Sequence, residues 1–154
     1  MTEFRTLIVG CDGSDNALVA ARYASTLARS TGATVKLVHV FPRTALDLIG
    51  MHGPSAAMVG IDPFDQDTFT RLGDDAAAQA FDLAAEQLDA AVTVERVRLA
   101  GDPSTELVRY ARESDNPLIL LGHRGLGRIS GALMGSVSQR VIHHAPCPVM
   151  VIPD

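Results

Sequence analysis

The sequence predicts an α/β fold, an open sheet of parallel strands with helices on both faces, and two observations carry that prediction. Short runs such as Thr6-Leu7-Ile8-Val9-Gly10-Cys11 and Leu118-Ile119-Leu120-Leu121 are apolar without alternation, as strands buried on both faces are. Between such runs lie stretches with apolar residues at helical spacing, and strands separated by helices imply parallel pairing through right-handed crossovers. The chain has 154 residues, 47% of them hydrophobic, which suffices for one core without disulfides or metals, so residues 1–154 are expected to form a single domain.

Strand one, Thr6 to Cys11, stops at the turn-forming Asp12-Gly13-Ser14-Asp15. Ser14 or Asp15 can cap the first helix, in which Leu18, Ala21, Ala24 (or Tyr23), Leu27 and Ala28 recur until the Ser30-Thr31-Gly32 stop. Thr34 to Val40 reads as the second strand. The segment from Phe41 to Asp67 then breaks into Pro, Gly, Met, His and Asp with no sustained period, a long loop. A helix from about Phe69 to Ala90 carries Asp74, Asp75, Asp82 and Glu86 on a solvated face, and Thr93 to Leu99 follows as strand three. Asp102 and Pro103 supply a cap and a first-turn proline for a helix through Glu113, with Leu107, Val108, Tyr110 and Ala111 as its apolar positions. Strand four runs from Pro117 to Leu121 and ends in Gly122. Ser136 is expected to cap a helix that turns Val137, Val141 and Ile142 inward, and Pro148 to Ile152 is the last strand.

Several function classes fall away on composition. A net charge of -5 with scattered basic residues argues against a nucleic-acid surface, which needs a concentrated positive face. No apolar run approaches the roughly 20 residues that cross a bilayer. The start MTEFRTLIVGCDG lacks the layout of a signal peptide, so a cytoplasmic protein without a membrane partner is expected. Cys11 and Cys147 have no Cys or His partner at metal spacing and read as reduced, small apolar side chains.

Open sheets of this kind bind ligands beyond the carboxyl ends of their strands, where the strand order reverses, which directs attention to Asp12, Val40 and the segment after strand four. That segment, GHRGLGRISGALMGSVSQRV from Gly122, has five glycines in its first fourteen positions. Each costs roughly 0.5–1 kcal/mol of ordering entropy relative to alanine, and in return reaches positive φ or lets another group approach the backbone. A phosphate chain would compensate that cost, because successive backbone N–H groups form an anion-binding concavity and the helix at Ser136 adds its unsatisfied N–H groups and positive dipole end. Ordinary turns use glycine too; Gly127 and Gly131 could simply relax a loop, and Ser136 could cap a helix with no ligand. Composition alone leaves both readings open. A Walker A loop is excluded, since no lysine follows the glycines and Lys36 is the only lysine. The turn Gly10-Cys11-Asp12-Gly13-Ser14 has no GxGxxG, so a nicotinamide or flavin dehydrogenase fits poorly.

The spacing of Gly122, two residues, Gly125, nine residues, then Gly135-Ser136 resembles the nucleotide-binding signature of the universal stress protein family, in the subgroup similar to its ATP-binding members. The likeness extends over nearly the whole chain: LIVGCDGSDNA resembles the family's first strand and acidic turn, VKLVHV its second strand, GDPSTELVRYA its third helix and APCPVMVIP its last strand. The resemblance implies a five-stranded sheet of order 3-2-1-4-5, the adenine nucleotide alpha hydrolase-like arrangement, with an adenine nucleotide in the crevice and a homodimer built through the final strands; the expected cofactor is ATP, with magnesium or manganese able to bridge its phosphates. It further implies that Asp12 and the backbone of Val40 hold the adenosine end, with Gly10 and Cys11 on the same wall and Leu121 and Gly122 by the ribose. Gly125, Gly135, Ser136 and Val137 would surround the phosphates. Arg124 and Arg128 are candidate phosphate contacts that the resemblance does not itself supply.

Other candidates are weaker. Asp12 could be only a turn residue were the glycine signature not present. His143 and His144 are helix neighbours that point apart and have no carboxylate at i+3 or i+4, which suits a helix C-terminus better than a metal. His39 reads as a satisfied core or sheet-end residue. Ser14 lacks a GxSxG elbow and a base, so a hydrolase triad has little support and no catalytic residue is assigned. Pro148 to Pro153 is apolar on both faces and as a sheet edge would be exposed unless another strand covers it, which favours self-pairing. Three functions accord with these readings. One is a nucleotide-dependent dimer that binds ATP and regulates a stress response. The others are a slow ATPase or phosphotransferase, and a dimeric scaffold that kept the fold and lost the ligand.

Overall fold

The computed structural model describes residues 3–52, 65–125 and 134–153. The elements in chain order are β1 (Thr6–Gly10), α1 (Asp15–Thr31), β2 (Thr34–Phe41), α2 (Ala45–His52), α3 (Gln66–Ala85), β3 (Val94–Ala100), α4 (Pro103–Arg112), β4 (Pro117–Gly122), α5 (Ser136–His144) and β5 (Val149–Ile152). The strands form one sheet of order β3-β2-β1-β4-β5, every pair parallel, with Val9 of β1 opposite Leu37 of β2 on one side and Leu120 of β4 on the other. The chain builds outward from β1 to β3, then returns to place β4 on the other side of β1. The sheet's switch point therefore lies between β1 and β4.

Because successive strand residues face opposite sides, each strand feeds two cores. On one face Leu7, Val9, Leu37 and Leu120 pack against Ala20, Ala21 and Ala24 of α1 and Ala77 and Phe81 of α3. On the other, Ile8, Val38, Ile119 and Leu121 pack against Leu107 and Val108 of α4 and Val141 of α5. Ser14, rather than Asp15, caps α1 by accepting the Ala17 N–H, and Gly32 ends the helix at φ 74°, a conformation favoured by glycine.

Three expectations are corrected. The segment from Phe41 to Asp67 is not all loop, since Ala45–His52 is helical. Thr44 starts that helix: its hydroxyl accepts the Asp47 N–H at 3.1 Å, and Ala45 and Leu48 pack against Phe41 and Phe69. Pro42, Gly50 and the short length hid this period in the sequence. Helix α3 begins at Gln66, three residues before the expected Phe69, because Asp65 accepts from the N–H groups of Asp67 and Thr68. Ile142 of α5 is 45% exposed rather than inward. The buried positions of that helix are Ser138 and Val141, with Val137 half-buried beside them.

The two sheet edges differ. On the β3 edge, Glu95 pairs with Lys36, Arg96 with Asp82 at 3.0 Å and Arg98 with Asp74 at 2.6 Å, which ties the strand to β2 and α3 and lays charge along it. Val149, Met150 and Val151 on the β5 edge are apolar and half-buried. No helix among the described residues is long and apolar enough to cross a membrane.

Candidate functional site

Beyond the carboxyl ends of β1, β2 and β4 lies a cavity of about 490 Å³, within the range of roughly 300–1,000 Å³ usual for small-molecule sites. Eleven of the residues marked for the site from the sequence line it: Gly10, Cys11 and Asp12 after β1, Val40 at the end of β2, Leu121, Gly122, Arg124 and Gly125 after β4, and Gly135, Ser136 and Val137 at the start of α5. Gly127, Gly131 and Arg128 lie outside the described residues.

The β1 turn is held by its own side chains. Asp12 Oδ1 accepts from the Ser14 N–H at 2.9 Å and the Ser14 hydroxyl at 2.5 Å, while Ser14 Oγ accepts the Ala17 N–H at 3.3 Å. The other carboxylate oxygen of Asp12 faces Gly125, where a Cβ would approach it to 2.5 Å. The Cys11 N–H donates to the Val38 carbonyl at 2.8 Å and extends the β1–β2 pairing to the cavity rim. Burial, reinforced by the neighbouring Asp12 charge, pushes the Cys11 thiol up to about 12. At neutral pH it is a protonated apolar wall residue, neither nucleophile nor metal ligand.

The β4 end is closed differently from expectation. The His123 N–H donates to Ile152 O at 2.8 Å, and the Gly135 N–H donates to His123 O at 2.9 Å, so the start of α5 is tied to the end of β4. Gly135, not Ser136, is the N-cap of α5, and no side chain among the described residues caps that helix. The first bond within it runs from the Gln139 N–H to Gly135 O at 3.1 Å. The amides of Ser136, Val137 and Ser138 therefore precede the helical ladder at an uncapped positive end, the arrangement that receives an anion. Gly135 itself contributes no such amide, because its N–H is committed to His123. Ser138 fixes the first turn against β4 through a 2.9 Å bond from its hydroxyl to Gly122 O.

The glycines act through close approach, not positive φ. Among the described residues, positive-φ glycines are Gly13, Gly32 and Gly101, none of them in the signature. A Cβ on Gly122 would lie 2.6 Å from the backbone carbon of Asn16 and 2.7 Å from its oxygen, so this glycine lets α1 lie against β4. Gly135 has nothing nearer than 3.5 Å. One signature glycine thus serves packing, and a Cβ at another would make only ordinary contacts with the described residues.

Several wall residues carry no local signal in the sequence: Leu48 and Met51 from α2, Ala76, Gln79 and Ala80 from α3, and Pro103 and Leu107 from α4. His39 is also on the wall, 7% exposed, with Nδ1 2.7 Å from Cys11 O. Its Nε2 is buried without a hydrogen-bond partner among the described residues, so the expected satisfied histidine is satisfied there at one nitrogen only. Nε of Arg124 is likewise buried and has no partner among the described residues. His143 and His144 sit exposed in the last turn of α5, as a helix C-terminus favours. Both cysteines are free. Among the described residues no three His, Cys, Asp or Glu side chains converge where they could hold a metal.

Fold and cavity together define a doubly wound α/β protein with a ligand-sized crevice at its switch point. The model of the universal stress protein family matches residues 3–153, and the chain belongs to that family. It is 30% identical to a universal stress protein of Thermus aquaticus (in the QAH/OAS sulfhydrylase 3′ region) over 97% of this chain and 98% of the relative. Among solved structures it is similar to universal stress protein UspA from Lactobacillus plantarum, 26% identical with a TM-score of 0.73 over 99% of both chains. It shares its fold with a universal stress protein in complex with cAMP, at 24% identity and TM-score 0.62 over 98% of both chains. The same holds for one from Archaeoglobus fulgidus in complex with dAMP, at 22% identity and TM-score 0.61 over 99% of both chains.

Proposed function

We propose that this chain binds an adenine nucleotide in the crevice, with ATP the form its glycine signature favours, and acts as a nucleotide-dependent regulatory dimer. The observation that carries the reading is convergence: residues marked from three separate turns line one cavity, and that cavity ends at the uncapped start of α5. Phosphates would rest on the Ser136, Val137 and Ser138 amides with Arg124 beside them, ribose near Leu121 and Gly122, and base toward Asp12 and Val40. The cAMP and dAMP complexes of proteins with the same fold support an adenine ligand. A magnesium or manganese ion would bridge the phosphates and arrive with them, since the described wall residues do not gather a ligand set of their own. The dimer would form by covering the apolar β5 edge, Pro148 to Pro153.

Calorimetric titration of ATP, AMP and cAMP into protein unfolded and refolded to strip carried-over ligand tests this reading. Ser136→Asp is the informative variant: a carboxylate in the first turn suits the helix dipole but repels phosphate. It is expected to leave the melting temperature equal or higher and to weaken ATP binding by about tenfold or more. Stripped wild-type protein that takes up no adenine nucleotide would reduce the chain to a scaffold.

A further inference from the structure

We infer that Met51 is an oxidation site of the crevice, where hydrogen peroxide converts its thioether to the sulfoxide and thereby weakens nucleotide binding without loosening the fold. The inference rests on the proposed nucleotide site. Among the described residues two sulfur side chains line the cavity, Cys11 and Met51, and access separates them. Cys11 is 4% exposed, its thiol donates to the Val9 carbonyl at 3.4 Å, and burial keeps it protonated. An enclosed thiol is a poor target, because the thiolate is the reacting form. Met51 is 46% exposed. A thioether has no proton to lose, so access is what limits its oxidation at neutral pH. The other described methionines, Met134 and Met150, are half-buried.

Placement gives the modification its consequence. Pro42, Arg43 and Thr44 separate β2 from α2, so the wall that begins at Val40 continues through Pro42 to Leu48 and Met51. Helix α2 is anchored by Ala45 and Leu48, which pack with Phe41, Phe69 and Leu72, and Met51 lies outside that cluster. Its side chain borders the crevice and the solvent, while the helix owes its position to other residues. In the reaction the sulfur lone pair attacks one oxygen of hydrogen peroxide, the S–O bond forms and the O–O bond breaks. Sulfur is oxidised, and the second oxygen leaves as water with the proton from the first. The product carries a polar S–O group where the wall was apolar. A ligand that covers this group must desolvate it, and a side chain turned outward instead leaves a gap in the wall; either costs affinity.

The test exposes protein stripped of carried-over ligand to hydrogen peroxide and titrates it with ATP by calorimetry, for wild type, Met51→Leu and Met51→Gln. Leu, Met and Gln have nearly equal helix propensities, so α2 is preserved across the series. Fragment-ion mass spectrometry, which separates Met51 from Met58 in the same tryptic peptide, is expected to place the first added oxygen on Met51. Wild type should then lose about threefold or more of its ATP affinity with its melting temperature unchanged. Met51→Leu should bind as untreated wild type does, before and after peroxide, and untreated Met51→Gln should bind as weakly as the oxidised protein. First oxidation at another methionine or at Cys11, an equal peroxide-induced loss in Met51→Leu, oxidised wild type with unchanged affinity, or a fall in melting temperature that accounts for the loss would each overturn the assignment. Untreated wild type that takes up no ATP is a distinct result, which removes the nucleotide site itself and this inference with it.

Discussion

The signature glycines separate once a methyl group is imagined on each. At Gly122 the methyl meets the Asn16 backbone at 2.6–2.7 Å, where only a shift of α1 against β4 relieves the clash. Gly122→Ala is therefore expected to destabilise the fold by about 1–3 kcal/mol, read as a lower denaturant midpoint, with any loss of binding secondary to that. At Gly125 the methyl meets, among the described residues, only the Asp12 carboxylate, at 2.5 Å. Gly125→Ala should leave the midpoint near wild type while moving Asp12 and weakening nucleotide binding several-fold. Equal destabilisation by both substitutions would contradict this division. The spacing of these glycines was legible in the sequence. The reason for Gly122 was not, because its partner Asn16 lies more than a hundred residues away.

At the scale of the element, helix starts and sheet edges organise the crevice. Asp102 starts α4, a helix that contributes Pro103 and Leu107 to the wall. Its carboxylate accepts from the Ser104 hydroxyl at 2.6 Å and from the Thr105 N–H at 3.0 Å, and stands 3.7 Å from Arg140 of α5. Partial burial pushes this carboxyl up, but the Ser104 and Thr105 hydrogen bonds, with Arg140, outweigh it and hold the group below its ordinary 3.8. The folded state thus binds the proton more weakly than the unfolded state. The cap's contribution is full above about pH 3.8 and is lost as pH falls through the folded value. Asp102→Ala should cost about 1 kcal/mol at neutral pH, and urea melts of the two proteins should converge as the solution is acidified toward pH 3. Strands β1 and β4 were legible because each is a short apolar run whose burial on both faces is written locally. Helix α2 was not, since eight residues broken by Gly50 acquire their stability from Phe41 and Phe69.

For the whole molecule, the contrast between its edges bears on where the proposed dimer would form. Charges on β3 are spent on Lys36, Asp74 and Asp82 and make that edge a poor template, while β5 offers Val149, Met150 and Val151. The proposed dimer should therefore sediment as two chains at micromolar concentration, and Val151→Asp should shift it to one chain without unfolding it. A wild-type monomer, or a Val151→Asp dimer, would place any association elsewhere.

The sequence by itself determined the parallel α/β class and most strands, because buried strands, caps and glycine turns are specified by neighbours in the chain, while its resemblance to the universal stress protein family marked most of the eleven residues that come to share one cavity. Only the tertiary structure decided which glycine serves packing, that Gly135 rather than Ser136 caps α5, and that one nitrogen of His39 has no partner among the described residues. Those outcomes depend on contacts between residues distant in sequence, whose geometry no local pattern encodes.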